Sequence, residues 1–462
     1  MFRKFIGDRA FYKRCLAVAV PIIIQNAITN FVALLDNIMV GQVGTLQMSG
    51  VAIVNQLMFV FNLCIFGAVS GAGIFTAQFH GKQDVQGVRY TFRFKVLVAL
   101  LLTAAGVALF LFAGTPLIRL YLEGDMTVQE AEDTLRYGLS YLSIMLWGLP
   151  AFAFSSVYSG TLRETGHASV PMVAGIIAVL TNLVLNYVLI FGHFGAPAMG
   201  IQGAALATVI SRYVELGIVA VWTHAHTEHC PFIVGTYRSV YIPGNLLGQI
   251  VLKGMPLLIN EFLWSSGMAF MNQCYSVRGL DVVAALNICS TLSNMTSVVF
   301  LSLGSVVGII IGQMLGAGCT AQEVQDTDRK LIALSVFSCF VFGGLAAAAS
   351  GIFPLIYKTT DTVRGIATSL ILVNAAFMPV NAYNNACYFT LRSGGKTMIT
   401  FLFDSGFVWT ICAPLAYLLS RFTALPIVPL YALCLSADLI KGIIGTWMVK
   451  KGSWIQNLAK TT

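Results

Sequence analysis

Charged residues are scarce in this chain, and the shortage limits what the protein can be. Asp, Glu, Lys and Arg make up only 10% of the 462 residues, whereas hydrophobic residues make up 57%. A soluble protein carries about 25% charged residues. The apolar runs are about 20 residues long, which is the length that a helix needs to cross a bilayer. The composition therefore predicts an all-α integral membrane protein and argues against a soluble domain or an outer-membrane barrel.

The signatures of several enzyme classes are absent as well. The sequence has no GxxxxGK[ST] phosphate loop, no HExxH pair and no recognisable Ser/His/Asp arrangement. ATP is therefore not expected to drive the protein directly, and we expect neither an enzyme nor a cofactor. One long loop contains His224, His226, His229 and Cys230, but their spacing is not that of a zinc site. We expect a solvated loop there, without a metal.

Cysteine pairs and a concentrated basic patch are also missing. The ten cysteines form no CxxC pair, and most of them lie in apolar runs. We expect them to pack as small hydrophobic side chains rather than to form disulfides. The net charge of +8 comes from Lys and Arg residues that flank the apolar runs. This distribution indicates contact with membrane lipid and gives no reason to expect nucleic acid as a partner.

Windowed hydropathy predicts twelve membrane spans. Their limits are 14–40, 50–78, 94–116, 137–158, 169–192, 200–223, 248–276, 283–314, 331–352, 364–388, 397–420 and 424–449. The long connection at 224–247 separates a predicted N-terminal lobe, 1–223, from a C-terminal lobe, 248–462. Most of the 27 Lys and Arg residues fall on one side of the membrane if the N-terminus is cytoplasmic. We therefore expect a multi-pass protein in the cytoplasmic (inner) membrane with both termini in the cytoplasm. We also expect it to be a monomer.

The two lobes repeat one another in sequence. One gap-free alignment of the lobes pairs Pro21, Gly44, Ser70, Gly73, Gln78 and Gly81 with Pro256, Gly279, Ser305, Gly308, Gln313 and Gly316. A slightly shorter shift pairs Pro150, Leu162, Arg163 and Gly166 with Pro379, Leu391, Arg392 and Gly395. Because each lobe has an even number of spans, the two repeats have the same orientation and are related by an axis along the membrane normal.

Asp36 is the most unusual residue of the first span. The stretch from Pro21 to Gly44 is apolar enough to cross a bilayer, yet it also contains Gln25 and Asn26. An aspartate at the bilayer centre costs about 2.5–3.5 kcal/mol on insertion scales, so it usually faces a protein interior or a watery cavity. We interpret Asp36 as a carboxylate that binds a proton or a sodium ion. A buried aspartate that is hydrogen-bonded to Asn or Ser is the structural alternative.

Candidate partners of Asp36 lie on spans five and six. Asn182 and Asn186 are spaced i, i+4 and share one helical face, and Ala204 and Thr208 have the same spacing. Amide oxygens, a hydroxyl and a carboxylate together suit a hard cation such as sodium. Interhelical hydrogen bonding is the alternative for the asparagines.

The second lobe contains intramembrane acids at different positions. Glu261 on span seven aligns with Asn26, whereas Met271 aligns with Asp36. We interpret Glu261 as a cavity carboxylate for a cationic substrate or for protons. Asp404 in span eleven needs a partner, either for structural hydrogen bonding or for transport.

Two charged pairs occupy the same place in the two lobes. Arg212 with Glu215, and Asp438 with Lys441, are each spaced i, i+3 on spans six and twelve. We expect each pair to neutralise its charges within its own helix.

Adaptable and aromatic side chains are the best candidates for the walls of a substrate cavity. Methionine fits irregular apolar ligands, and aromatic faces attract organic cations. Packing within the core or against lipid is the alternative for each of them. The complete predicted cavity set is Gln25, Asn26, Met58, Glu261, Trp264, Met268, Asn381, Tyr383 and Asp404.

Together these residues resemble the multidrug and toxic compound extrusion (MATE) transporters. The resemblance rests on Pro21, Asp36 and Gly44, on SGAGIFTAQFHGKQD at 70–84, on LRETG at 162–166 with LRSGG at 391–395, on TNLVLNYVLIFG at 181–192 and on GIQGAALATVISR at 200–212. It covers essentially the whole chain. It implies a fold of two six-helix repeats, as in the multidrug/oligosaccharidyl-lipid/polysaccharide superfamily, with two lobes around a V-shaped cavity.

The resemblance also implies an activity and a site. The implied activity is antiport, with organic cations or drugs exported in exchange for protons or sodium ions. The implied cation site consists of Asp36, Asn182, Asn186, Thr208 and the backbone oxygen of Ala204. Several relatives have a second carboxylate where Asn186 stands, so proton coupling and sodium coupling both stay open.

Some branches of the family also use acids in the second lobe. A glutamate on span seven would correspond to Glu261, and an acid on span ten is replaced here by Asn381.

One alternative function is a flippase for lipid-linked oligosaccharides or polysaccharides in the same superfamily. A channel or a non-transporting membrane receptor is the alternative from another class.

Overall fold

The computed structural model describes residues 5–122, 127–357 and 359–460, without the side chains of 32–34, 37, 38, 45 and 280. These residues form helices and connecting segments, and no strand occurs among them. The α-helices are α1 (Arg9–Gly41), α2 (Thr45–Gly81), α3 (Val85–Arg119), α4 (Val128–Met145), α5 (Gly148–Glu164), α6 (Ser169–Phe191), α7 (Ile201–Ala225), α8 (Gly244–Ser276), α9 (Leu280–Ala317), α10 (Ala321–Ala349), α11 (Asp361–Ser393), α12 (Thr397–Phe401), α13 (Ala413–Phe422) and α14 (Ile427–Lys451).

The helices confirm the predicted fold class. Within the described residues, eleven helices are long and apolar enough to cross a membrane, and α4 and α5 together bring the number to twelve. Local sequence sets where they begin and end. Thr320 and Glu323 form a capping box at the start of α10, and Gly192, Gly318 and Gly452 end α6, α9 and α14 in the left-handed conformation that glycine adopts without strain.

The fourth predicted span, 137–158, has the wrong limits. It crosses a break between α4 and α5, whose axes are bent by 48°. Pro150 lies in the first turn of α5 and lacks the N–H that would continue the hydrogen bonding of α4. The hydropathy window does not detect this break because the residues on both sides of it are apolar.

The eleventh span is also irregular. Between α12 and α13, the segments Leu402–Gly406 and Val408–Cys412 are π-helical. A π-helix is rare and often occurs at a functional site. Asp404 lies in the first of these segments.

The described chain forms two compact units. One contains residues 24–76 and 84–248, and the other contains residues 5–23, 77–83 and 249–460. The beginning of α1 and the end of α2 therefore pack with the second repeat. The predicted lobes 1–223 and 248–462 follow the sequence repeat, and as domains they stay a prediction, as does the linker 224–247.

The segment after α14 folds back onto the second unit. The indole of Trp454 is fully buried, and Gln78 Nε2 donates to the carbonyl oxygens of Ser393 (2.9 Å) and Gln456 (3.2 Å). The Leu458 N–H donates to Gln78 Oε1 at 2.6 Å. The tail, defined here as residues 452–460, thus links the ends of α2 and α11. Gly394 permits this packing because a Cβ atom there would overlap the carbonyl oxygen of Trp454.

Candidate cation site

Three helices of the first unit bring the predicted cation ligands together. Asp36 lies on α1, Asn182 and Asn186 lie on α6, and Thr208 lies on α7. Gly203 lets α6 and α7 approach closely, because a Cβ atom there would lie 2.5 Å from the carbonyl oxygen of Leu189. The i, i+4 spacing of the two asparagines then directs both amides toward Asp36 and Thr208.

In one orientation of the Asn182 amide, the side chains form one continuous hydrogen-bonded chain. Asn186 Nδ2 donates to Asp36 Oδ1 at 2.6 Å and to Asn182 Oδ1 at 3.1 Å. Asn182 Nδ2 donates to Thr208 Oγ1 at 3.3 Å, and this hydroxyl donates to the carbonyl oxygen of Ala204 at 3.0 Å. All five predicted ligands therefore belong to one cluster.

The amide of Asn182 can take either of two orientations. When the amide oxygen and nitrogen exchange places, the nitrogen lies 2.9 Å from Asp36 Oδ1 and 3.1 Å from Asp36 Oδ2, and the oxygen accepts from Thr208 Oγ1. This orientation gives the carboxylate a second donor, and it replaces the bonds from Asn186 Nδ2 to Asn182 Oδ1 and from Asn182 Nδ2 to Thr208 Oγ1. We adopt it because amide orientation is assigned from the hydrogen-bond network. In the first orientation the Asn182 oxygen takes the place of the nitrogen, 2.9 Å from Asp36 Oδ1, and accepts from Asn186. The same residue can thus offer either a donor or an acceptor to the cluster.

The hydrogen-bond partners of Asp36 are neutral groups. Asn182 and Asn186 are 5% and 1% exposed, while Asp36 is partly exposed. No Lys or Arg within the described chain forms an ion pair with Asp36. Asn186 Oδ1 is buried and accepts no hydrogen bond from the described residues. An acid with only neutral partners, beside an unused amide oxygen, is suited to bind a proton or a small cation.

Other predicted cavity residues of the first half of the chain, residues 1–223, have different environments. Gln25 is buried, and its Oε1 accepts from the guanidinium of Arg163. Asn26 is partly buried, and Met58 is buried. Their assignment to a substrate cavity stays a prediction.

The predicted residues of the second half lie on three spans. Glu261 is partly buried and forms no hydrogen bond or ion pair within the described residues. Trp264 and Met268 are 40% and 39% exposed on α8. Asn381 is partly buried on α11, and Tyr383 shares a 2.6 Å hydrogen bond with Thr446. The structure does not join these residues into one hydrogen-bonded cluster.

Asp404 has a partner that the sequence interpretation missed. Lys441 Nζ lies 2.7 Å from Asp404 Oδ1, so the close ion pair forms with the neighbouring span and not with Asp438, although Lys441 also attracts the Asp438 carboxylate. An i, i+3 spacing makes a local pair possible, but Asp404 on the neighbouring span offers the ammonium a direct hydrogen bond. The other predicted pair is present, with Arg212 and Glu215 at 3.1 Å.

Contacts between aromatic rings characterise the histidine-rich loop. The rings of His224 and Tyr237 stack, as do those of His226 and Trp222. Burial lowers the pKa of His167, which contacts His229, and burial raises the pKa of the Cys230 thiol to about 11. Within the described residues, no group of three or more His, Cys, Asp or Glu side chains could hold a metal ion.

The comparisons with known proteins agree with this architecture. The family profile described as MatE matches residues 21–188 and 256–418, one segment in each repeat. The probable multidrug resistance protein NorM of Thermotoga maritima is 23% identical over 444 residues, covering 94% of this chain and 88% of the relative. The multidrug resistance protein PmpM of Pseudomonas aeruginosa is 27% identical over 412 residues, covering 88% and 84%.

Solved structures show the same fold. The outward-facing conformation of a multidrug resistance MATE family transporter superposes with a TM-score of 0.85 at 17% identity, covering all of this chain and 98% of that one. MATE in complex with MaL6 gives a TM-score of 0.84 at 18% identity, with 100% and 99% covered. The family match spans most of the chain and includes both repeats, so the chain belongs to the MatE family of membrane transporters and is not an enzyme.

Proposed function

We propose that the protein is a secondary antiporter that exports organic cations or drugs in exchange for protons or sodium ions. The observation that carries this proposal is the Asp36 cluster, where a membrane-embedded carboxylate has amide partners instead of a fixed cation. A permanent Lys or Arg partner would keep such a carboxylate occupied. Without one, the carboxylate is available to an exchangeable cation.

The cluster could accept either coupling ion. A proton would bind a carboxylate oxygen of Asp36 and change the hydrogen bond that Asn186 donates to it. A sodium ion would need oxygen ligands, and the Asp36 carboxylate, Asn186 Oδ1, Thr208 Oγ1 and a rotated Asn182 amide supply that chemistry. In both cases, neutralising Asp36 would alter the contacts that connect α1 to α6.

The names of the relatives and the local charges support a cationic or drug-like cargo. NorM and PmpM are named as multidrug resistance proteins. A flippase for a pyrophosphate-linked lipid would need unpaired cationic groups near its cargo. Here the intramembrane Arg212 is paired with Glu215, and Lys441 is paired with Asp404. These pairs leave little net positive charge at Arg212 and Lys441 to attract an anionic headgroup.

Coupling requires that the ion and the cargo favour different conformations or compete for one. In the proposed cycle, Asp36 binds its ion from outside, the first half rearranges, and the cargo leaves outward. The ion then passes to the cytoplasm. Pro21, Pro256 and Pro379 lie inside α1, α8 and α11, and each removes one helical hydrogen bond where bending could occur.

Ethidium efflux tests the proposal. Cells that produce wild-type protein or Asp36→Asn are loaded with ethidium, and the proton and sodium gradients are collapsed separately. We expect uphill efflux by the wild type and only a passive leak through the variant. The collapse that stops wild-type export identifies the coupling ion.

Glu132→Gln is the matched control, because Glu132 is an exposed acid on α4. It should export ethidium like the wild type. If Asp36→Asn also pumps like the wild type, Asp36 does not carry the coupling. If the wild type exports no organic cation, the proposed function is wrong and the flippase alternative is next to be tested.

A further inference from the structure

The second half contains a buried ion pair between two spans. Asp404, in the first π-helical segment, and Lys441, on α14, have side chains that are 17% and 11% exposed, with Oδ1 and Nζ 2.7 Å apart. The Lys441 ammonium also lies 5.2 Å from the centre of the Phe403 ring. A carboxylate beside an aromatic face is the environment in which proteins bind organic ammonium ions.

A polar network fixes the other side of the carboxylate. Asn260 is 1% exposed, and its Nδ2 donates to Asp404 Oδ2 at 3.1 Å and to the Tyr388 hydroxyl at 3.4 Å. Asn260 Oδ1 accepts from the Ser405 hydroxyl at 2.7 Å and from the Ser405 N–H at 3.2 Å. Asp404 is therefore held in place independently of Lys441. Removing the lysine would leave a carboxylate that is still oriented.

The equivalent positions of the first half show that the same helices form without an ion pair between these two spans. The alignment that pairs LRETG with LRSGG also pairs Arg212 with Lys441 and Gly175 with Asp404. Arg212 binds Glu215 on its own helix, and a Cβ atom on Gly175 would lie 3.1 Å from Nε2 of a buried glutamine on α1. The first half thus builds the same helices without an acid at this place.

Energetics give no strong structural reason for the pair either. Burying an ion pair costs as much desolvation as its attraction returns, and apolar replacements of such pairs are often neutral or stabilising. The π-helical backbone at Asp404 is a second departure from regular structure at the same point. Both features are expected where a site has a role besides stability.

We propose that Asp404 is a binding site for the organic ammonium or similar monocation of the cargo, and that Lys441 is a tethered cation that occupies this site when cargo is absent. Cargo binding displaces the Lys441 ammonium from the carboxylate, so Asp404 stays neutralised throughout. No bond is made or broken. The proposal rests on the proposed function because it takes the cargo to be cationic.

Equilibrium binding of ethidium to the purified protein tests this exchange. We expect Lys441→Met to bind ethidium at least tenfold more tightly than the wild type, because the competing ammonium is gone. Asp404→Asn should bind at least tenfold more weakly, because Lys441 then stays near the site without its carboxylate. Arg212→Met is the matched control at the equivalent position and should bind within twofold of the wild type.

A double variant separates binding from folding. Asp404→Asn with Lys441→Met removes both members of the ion pair, so it should fold even where a single variant does not. We expect it to bind ethidium at least tenfold more weakly than the wild type. Wild-type affinity in the folded double variant, or unchanged or weaker binding by folded Lys441→Met, would overturn the proposal.

The two proposals fail in different ways. If the wild type binds and exports ethidium but the double variant binds it equally well, only the exchange site is wrong. If the wild type neither binds nor exports any organic cation, both the exchange site and the proposed function are wrong.

Discussion

The two halves of the molecule repeat their helices but not their charges. In the first half, Asp36 is hydrogen-bonded to the amides of Asn182 and Asn186. Its equivalent in the second half is Met271, which is 7% exposed in a hydrophobic cluster. In the second half, Asp404 forms an ion pair with Lys441, and its equivalent in the first half is Gly175. The repeat has thus kept its helices, while Asp36 and Asp404 lie on spans that do not correspond.

The same contrast occurs around two equivalent threonines. Thr161 in the first half accepts from Lys95 Nζ at 3.1 Å, and this fully buried lysine also pairs with Glu164. Thr390 in the second half instead donates to the carboxylate of Asp328, which is 1% exposed. Asp328 Oδ2 has no hydrogen-bond partner within the described residues. One threonine therefore supports a paired cation, and the other supports an acid without a cation.

Replacing the buried lysine should produce the largest loss of stability. Lys95→Met leaves Glu164 without its ammonium partner, and breaking such a buried pair costs about 3–5 kcal/mol. The equivalent residue, Lys330, is only partly buried, and its ammonium lies 5.9 Å from the Phe11 ring. Lys330→Met should cost about 1 kcal/mol or less. Thermal unfolding of the detergent-solubilised variants measures the difference, and equal losses would show that the two positions do not differ as described.

The packing of the tail is a second difference between the two halves. Thr165 in the first half corresponds to Gly394, whose Cβ position is filled by the carbonyl oxygen of Trp454. Gly394→Thr should therefore displace the tail, with an overpacking cost of about 1–3 kcal/mol. Faster cleavage of the C-terminus in limited proteolysis would report the displacement. Gly344→Ala is the control because no atom lies within 4 Å of its Cβ position, and it should leave the cleavage rate unchanged.

The smallest effect is expected at Asp328. Its carboxyl has one hydroxyl partner and no cation, so Asp328→Asn can keep the bond to Thr390 and should change stability by less than about 1 kcal/mol. Glu164→Gln in the first half should cost more, because it removes the charge that Lys95 needs. Thermal unfolding of the two amide variants provides the comparison. A larger loss of stability for Asp328→Asn than for Glu164→Gln would contradict the description of Glu164 as part of an ion pair and of Asp328 as an acid without a cation.

The sequence contains most of the information about the fold and about the first-half cluster. Hydropathy and the repeat predict the helical spans, and the i, i+4 spacing places Asn182 and Asn186 on one face. The resemblance to MATE transporters then links them to Asp36 and Thr208. The spans and the shared face follow from local periodicity, whereas the grouping across three helices follows only from the resemblance. That the cluster binds a cation stays a prediction.

The missed features depend on contacts between distant residues. The Asp404–Lys441 pair joins two spans, and Asp438, three residues from Lys441, offers a competing local partner. Asn260 has no neighbouring pattern that would mark it as the residue that orients Asp404. The tail is short and has no regular hydrophobic spacing, so its packing against Gln78 and Gly394 depends on tertiary structure that periodicity does not describe.

The most direct test of the Asp36 assignment is the number of cations that leave the protein when cargo binds. Ethidium is titrated into purified protein in weakly buffered solution, with proton release followed by an indicator and with the sodium dependence of ethidium affinity measured in parallel. By linkage, we expect the wild type to release about one proton or sodium ion per ethidium and Asp36→Asn to release none. If Asp36→Asn releases the same number of cations as the wild type, the coupling ion binds elsewhere and the assignment of Asp36 is contradicted.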